Sequence, residues 1–171
     1  MLVAREAVAG GGKGPVADTV TLDLEGRRRR RIALTTDGGV AFLLDLPEVT
    51  DLKAGDGLKL SDGRTIRVIA APEPLMEVTA RDGHLLMRLV WHIGNRHLAA
   101  MIGEGRVLLR RDHVIADMIR GLGGEVRDVT APFEPEGGAY AKGGHGHGHA
   151  HAHHAHGHGE THAHSHGHAH G

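Results

Sequence analysis

The stretch LLMRLVWHIG, residues 85–94, contains the clearest helical pattern in the chain. Its apolar residues fall on one arc of a helix, because they recur with helical spacing: Leu85, Leu86, Leu89, Val90 and Ile93. A second helix is predicted within DHVIADMIRGLG, residues 112–123, where Asp112 is the N-cap and Gly123 follows the last turn. Strand patterns flank both helices, over residues 75–80, 98–102, 106–109 and 125–130. The predicted order of elements is βαββαβ, the ferredoxin-like arrangement.

The first half of the chain has a different period. Residues 1–72 alternate apolar and polar side chains in short segments, and Asp-Gly pairs at residues 37–38 and 62–63 mark tight turns. Residues 71–74, Ala-Pro-Glu-Pro, are predicted to form a stiff connection, because proline fixes φ. We therefore expect an α+β protein in three parts: an N-terminal small all-β domain (1–72), a ferredoxin-like βαββαβ domain (73–131), and a linker with a disordered His-rich tail (132–171).

The tail is the most unusual part of the sequence. Residues 145–171 read HGHGHAHAHHAHGHGETHAHSHGHAHG, and of the 17 histidines only His84, His92, His97 and His113 precede them. Glycine and alanine spacers cannot fill a core, so this segment is predicted to be disordered. Imidazole has an ordinary pKa of about 6.5 and is mostly neutral at pH 7, which leaves it free to coordinate Ni²⁺, Cu²⁺, Zn²⁺ or Co²⁺. The candidate ligands of the tail are His145, His147, His149, His151, His153, His154, His156, His158, His162, His164, His166, His168 and His170.

Composition excludes several classes of function. The chain has no cysteine, which removes disulfides, thiolate metal sites and a cysteine nucleophile. Serine occurs only at Ser61 and Ser165, so a serine nucleophile is nearly excluded. The net charge of −1 gives no general attraction to nucleic acid or membrane. Without a signal-peptide pattern or a long apolar run, we expect a cytoplasmic protein, and two small domains favour a homo-oligomer.

Other candidate residues lie outside the tail. Residues 27–31 are consecutive arginines that could hold phosphates, although a solvated strand or an acidic protein partner is the favoured interpretation. His92 falls at the edge of the apolar arc of the first helix, and His97 is predicted to start the next strand. Lone histidines serve more often in packing or at the surface than as ligands, so spacing alone leaves both roles open.

Three further motifs resemble the UreE family of urease accessory proteins. They are WHIGNRH at residues 91–97, RDHVIADM at residues 111–118 and APFEPE at residues 131–136, followed by the His-rich tail. The resemblance covers nearly the whole chain and is strongest in the second half. At position 111 the chain has arginine, where some relatives carry a histidine two residues before the position of His113.

The resemblance implies a cytoplasmic nickel chaperone rather than an enzyme. It implies a homodimer formed by the ferredoxin-like domain, an N-terminal domain that binds partner peptides, and a nickel ion held by His97 and its symmetry mate. Tail histidines would add ligands, with His92 and His113 as further candidates. Nickel would pass to apo-urease through a complex with the accessory GTPase UreG and other accessory proteins.

Alternative functions stay open at this point. The first is a general store or buffer for divalent metals that acts through the tail. A metal-dependent hydrolase and a nucleic-acid binder rank lower, because no H-E-x-x-H-like pattern occurs and acidic residues lie close to the arginines. A purification tag, or a low-complexity extension without a metal role, would also explain a His-rich tail.

Overall fold

Two β-sheets, one in each half of the chain, carry the fold of residues 1–12 and 14–137, which are the part that the computed structural model describes. These residues belong to one unit, Met1–Gly137. The described residues are mostly β with few helices, which is consistent with the α+β prediction. The predicted disorder of the tail falls on residues outside the described part.

The first sheet has six strands in the order β2-β6-β5-β1-β4-β3. Its strands are β1 (Leu2–Val8), β2 (Val16–Leu22), β3 (Arg28–Thr35), β4 (Ala41–Asp51), β5 (Gly57–Leu60) and β6 (Thr65–Ala70), and the short helix α1 (Leu24–Arg27) joins β2 to β3. Fully buried aliphatic side chains and one phenylalanine form its core: Ala4, Phe42, Leu44, Leu58, Ile66 and Val68. Because β2 and β3 stand at the two ends of the strand order, they are the edge strands of this sheet.

The second sheet has four strands in the order β10-β7-β9-β8, and every neighbouring pair is antiparallel. The elements are β7 (Pro72–Thr79), α2 (Gly83–Gly94), β8 (Ala100–Gly103), β9 (Arg106–Arg110), α3 (His113–Gly121) and β10 (Glu125–Pro132). The predicted order βαββαβ is observed. The two helices contribute Leu85, Leu89, Ile93, Ile115 and Ile119 to a core shared with the sheet.

Both long helices begin at an aspartate. Asp82 accepts a hydrogen bond from the backbone N–H of Leu85 at 2.7 Å, and this bond lowers the pKa of the Asp82 carboxyl. Asp112 accepts from the N–H groups of Val114 and Ile115, which confirms it as an N-cap. Gly123 follows the last turn of α3 with φ of +90°, the conformation that favours glycine at a helix end.

The prediction of a stiff connection at residues 71–74 is wrong in its limits, because β7 begins at Pro72. Pro72 and Pro74 pair with β10 alone, and β9 covers β7 only over Leu75–Val78. A proline lacks an N–H group to donate, so it is tolerated where a strand has a neighbour on one side only.

Arg27 corrects the prediction of a solvated arginine run. It ends α1 with 1% of its surface exposed, whereas the four arginines after it are exposed. Its guanidinium donates to the backbone oxygens of Leu52 and Phe133 and pairs with the carboxylate of Glu134 at 3.1 Å. Glu134 also accepts from the N–H of Ala54 at 2.7 Å. Residues just beyond β10, predicted as linker, are thus held against the first half of the chain.

Candidate metal site

Helix α2 has one buried and one exposed apolar face. Leu85, Leu89 and Ile93 are buried, as their helical spacing predicted. Met87 and Trp91 lie on the opposite side and are 66% and 64% exposed. We call these two residues the outer face of α2. Its presence could have been predicted, because Met87 and Trp91 are four positions apart and lie outside the predicted arc.

The turn after α2 carries His97. The N–H of Asn95 donates to the Trp91 oxygen at 3.0 Å, and the N–H of His97 donates to the Gly94 oxygen at 2.9 Å. His97 therefore lies in a turn, three residues before β8, rather than at the start of the strand as predicted. Its side chain is exposed at the end of the helix.

His97 has an unusual backbone conformation. Its φ is +54°, and no other non-glycine residue among those described has a positive φ. This left-handed conformation costs an L-residue about 1 kcal/mol, although histidine adopts it more often than most. Glycine would fit the turn at lower cost. A strained residue that keeps a reactive side chain exposed is a candidate functional residue.

His92 lies in the last helical turn of α2, shortly before the loop turn that carries His97. It is half-buried, and its ring meets the indole of Trp91 edge-on with ring centroids 5.0 Å apart. The guanidinium of Arg96 donates to the His92 backbone oxygen at 2.9 Å. His92 thus shares the end of α2 with His97, in the position at the edge of the arc that its spacing predicted.

His113 is the first residue of α3 and directly follows the capping residue Asp112. It is exposed and lines an open recess of about 250 Å³ together with Arg111, Arg120 and Asp128. Arg111 donates to the backbone oxygens of Leu75 and Val129, which belong to β7 and β10. The arginine therefore ties two strands together beside His113 and supplies no metal ligand.

No described group of three or more histidine, aspartate or glutamate side chains, within residues 1–12 and 14–137, has the geometry of a metal site. His97, His92 and His113 are thus not brought together into a complete site within one chain. The candidate ligands of the tail, from His145 to His170, lie outside the described residues.

No described helix is both long and apolar enough to cross a bilayer.

A buried carboxylate stabilises the sheet beneath the helices. Glu77 on β7 lies between the guanidinium groups of Arg127, at 2.7 Å, and Arg106, at 3.0 Å. The hydrogen bond from Arg127 is the largest of the effects that lower the Glu77 pKa below its ordinary value of 4.5. Each carboxylate oxygen of Glu77 accepts from one of the two arginines, so this cluster supports the fold and leaves no free carboxylate for a metal.

Comparison with protein families matches both halves of the chain. The model described as the UreE urease accessory protein, N-terminal domain, matches residues 4–71, and the corresponding C-terminal domain matches residues 73–171. Two sheets, an exposed histidine turn and these matches together define the class as a urease accessory protein.

Similar proteins carry the same description. The chain is 58% identical over 129 residues to the urease accessory protein UreE of Rhodopseudomonas palustris strain HaA2, covering 75% of this chain and 60% of the relative. It is 59% identical over 128 residues to that of Chelativorans sp. strain BNC1, covering 75% of this chain and 81% of the relative. The chain thus spans less than two thirds of the Rhodopseudomonas protein. It belongs to the UreE urease accessory protein family.

Proposed function

We propose that this protein is a cytoplasmic nickel chaperone that delivers Ni²⁺ to apo-urease during assembly of the metal centre. It is a carrier and not an enzyme. Nickel is held by His97 at the interface of a homodimer and by histidines of the C-terminal tail. Membership of the UreE family supports the urease-related role, and the residues at the end of α2 support the metal-binding role.

The observation that carries the metal-binding role is the backbone of His97. With a φ of +54°, His97 is a strained and exposed residue at a position where glycine would adopt the same conformation at lower cost. One imidazole cannot hold a divalent ion firmly. A two-fold axis beside His97 would bring a second, identical imidazole to the same ion, so metal binding and dimer geometry would be coupled.

The outer face of α2 supports a homodimer. Met87 and Trp91 expose a large apolar area next to the turn that carries His97. Exposed aromatic residues of this kind are typical centres of protein interfaces. The second half, residues 73–131, is proposed to be a ferredoxin-like dimerisation domain, and the strand order β10-β7-β9-β8 supports that assignment.

The remaining histidines have secondary roles in this proposal. The tail gathers Ni²⁺ and also suits Cu²⁺, Zn²⁺ and Co²⁺, because imidazole binds all four. His92 lies close enough in sequence to assist His97, and His113 is the weaker candidate, since its neighbour Arg111 is engaged with the sheet. All-imidazole sites can release the ion by ligand exchange, as a carrier requires.

Partner binding is assigned to residues 1–72, which are proposed to form a separate small all-β domain. The expected partners are apo-urease and its accessory proteins, including the GTPase UreG. Neither nucleic acid nor membrane is an expected partner. The first sheet has an exposed edge with four arginines, which supports a role in protein contacts.

The second candidate function is a general divalent-metal store that acts through the tail. It is favoured by the lack of a three-ligand group within residues 1–12 and 14–137 of a single chain. In that case His97 would contribute nothing to tight binding, and removal of the tail would remove nearly all metal capacity.

A calorimetric nickel titration distinguishes the two functions. It uses the full chain, a truncation that ends at Lys142, and the same truncation with His97→Asn or His84→Asn. Asparagine tolerates a positive φ, so His97→Asn removes the imidazole and keeps the turn. His84 is an exposed histidine at the opposite end of α2 and serves as the matched control.

The chaperone proposal predicts that the truncation retains one tight nickel site per dimer. This site is lost in His97→Asn and kept in His84→Asn. Loss of all tight binding on truncation alone would contradict it and favour the storage function.

A further inference from the structure

The two edges of the first sheet differ in how open they are. The β2 edge is partly covered by a turn, because the N–H of Asp37 donates to the Thr19 oxygen at 2.8 Å and its carboxylate accepts from the N–H of Thr21 at 3.2 Å. On the other edge, β3 pairs only with β4 among the described residues. The outer backbone groups of β3 therefore lack a strand neighbour.

Four exposed arginines lie at the beginning of β3. We call residues 28–31 the arginine edge. Arg28 and Arg31 are partly neutralised by β4, through Asp51 at 3.3 Å and Asp45 at 3.7 Å. Arg29 and Arg30 form no salt bridge with any residue of 1–12 or 14–137. The edge thus presents two guanidinium groups whose charge is not compensated by the described part of the chain.

There is also room beside these arginines. An open hollow of about 220 Å³ is lined by Glu25, Arg28 and Arg29. Arginine presents a planar fork of donors that matches a carboxylate, and exposed guanidinium groups on a strand edge discourage pairing with apolar or basic strands. The same groups would favour an acidic strand, so the charge of the edge selects its partner.

We infer that the arginine edge binds an extended acidic segment of a partner protein, which adds to the first sheet as a further strand beside β3. Backbone hydrogen bonds to the free edge of β3 supply affinity that does not depend on sequence. Carboxylates of the segment pair with Arg29 and Arg30 and supply specificity, because each opposite-charge pair across neighbouring strands is favourable. The inference rests on the proposed partner-binding role of the first half, but not on nickel binding.

The local chemistry favours a peptide over nucleic acid. No aromatic residue occurs between positions 25 and 35, so the edge offers no surface on which bases could stack. Asp51 and Asp45 lie on β4 opposite Arg28 and Arg31, at the two ends of the arginine edge, and would repel a continuous phosphate backbone, while leaving Arg29 and Arg30 accessible to individual carboxylates.

The test uses the full chain freed of nickel and three fluorescent eight-residue peptides. One contains Glu-Glu pairs separated by Thr, so that carboxylates lie on both faces of the strand, one contains Lys-Lys pairs separated by Thr, and the third is the Glu peptide with alternate amides N-methylated, which keeps its charge and blocks strand pairing. A single-stranded oligonucleotide is the fourth probe. The variants are R29A/R30A, the charge reversal R29E/R30E, and R88A/R120A as a matched control with two exposed arginines removed from the second half.

Binding of the Glu peptide is expected, with a loss of about tenfold in R29A/R30A and no change in R88A/R120A. N-methylation should also weaken binding, and R29E/R30E should bind the Lys peptide instead. Equal binding by R29A/R30A, equal binding of the N-methylated peptide, absence of Glu-peptide binding, or a preference for the oligonucleotide would each overturn the inference. Nickel titrations of the same variants report on the chaperone proposal separately.

Discussion

The arginine edge and the outer face of α2 are both exposed, but they are built from opposite chemistry. The arginine edge, residues 28–31, presents charge along a strand that lacks an outer neighbour. The outer face of α2 presents the apolar side chains of Met87 and Trp91 next to an exposed histidine. Charged contacts favour rapid, salt-sensitive association, whereas buried aromatic contacts favour lasting association.

In the two proposals above, this difference corresponds to separate tasks for the two halves of the chain. The apolar face suits a permanent contact with a second copy, which would hold a metal between two identical turns. The charged edge suits the proposed partner, which would associate and dissociate during the proposed metal transfer. Substitutions that affect one surface should therefore leave the other unchanged.

The largest expected effect is on the dimer. Trp91→Glu places a charge on the outer face of α2 in both copies, and we expect the dimer dissociation constant to rise by roughly a hundredfold or more. Analytical ultracentrifugation over a range of concentrations measures this constant. Val49→Glu is the control, because Val49 is a similarly exposed apolar residue, 61% exposed, on the first sheet. An unchanged dimer in Trp91→Glu would exclude this face as the interface.

The next largest effect is on the free energy of unfolding, and it distinguishes the buried Arg27 from the exposed arginine edge. Arg27→Met removes a buried cation that bonds the Leu52 and Phe133 oxygens and Glu134, so we expect the free energy of unfolding to fall by about 3 kcal/mol. Arg29→Ala, an exposed neighbour, should change it by less than about 0.5 kcal/mol. Urea denaturation measures both variants. Similar stabilities would mean that Arg27 does not hold the two halves together.

A smaller effect concerns the pH dependence of stability. The pKa of Glu77 is lower in the folded chain than in the unfolded chain. Its stabilising contribution is therefore complete above the ordinary pKa of 4.5 that applies to the unfolded chain, and is lost as the pH falls through the lower folded value. Glu77→Gln should lower the free energy of unfolding at pH 7 by about 1–2 kcal/mol.

The loss in Glu77→Gln relative to the unsubstituted chain should shrink as the pH falls below about 4. Urea denaturation at several pH values measures it. A loss of stability that stayed the same at pH 7 and pH 3 would show that the charge of Glu77 is not what stabilises the sheet.

The smallest effects are expected for the two flanking histidines. In the truncation that ends at Lys142, His92→Asn and His113→Asn should each weaken nickel binding by about threefold or less, because His92 is half-buried against Trp91 and the neighbour of His113, Arg111, is engaged with the sheet. Calorimetry of the two variants beside His97→Asn gives the ranking. A loss at His113 equal to that at His97 would require a different metal site.

Much of the second half could be predicted from local patterns. The spacing of Leu85, Leu89 and Ile93 and the capping residue Asp112 act over a few positions, and the structure confirms them. The strand β1 was not predicted, because Arg5 and Glu6 interrupt its apolar alternation. Its place between β4 and β5 depends on pairing with residues far along the chain.

The features of the fold and of the site that could not be predicted depend on distant contacts or backbone strain. The burial of Arg27 follows from Phe133 and Glu134, which are more than 100 positions away. The positive φ of His97 has no signal in residue type, since histidine is compatible with ordinary helix or strand conformations. A shared site between two chains also leaves no pattern in a single sequence, so it stays a prediction.

The central claim is that one nickel ion is shared by two copies of His97. The most direct measurement is the number of tightly bound nickel ions per chain in the truncation that ends at Lys142, with the mass of the complex determined in the same samples. We predict one ion for two chains in a dimer, and no tight ion in the His97→Asn dimer. One ion for each chain, or tight binding that survives His97→Asn, would contradict the shared site.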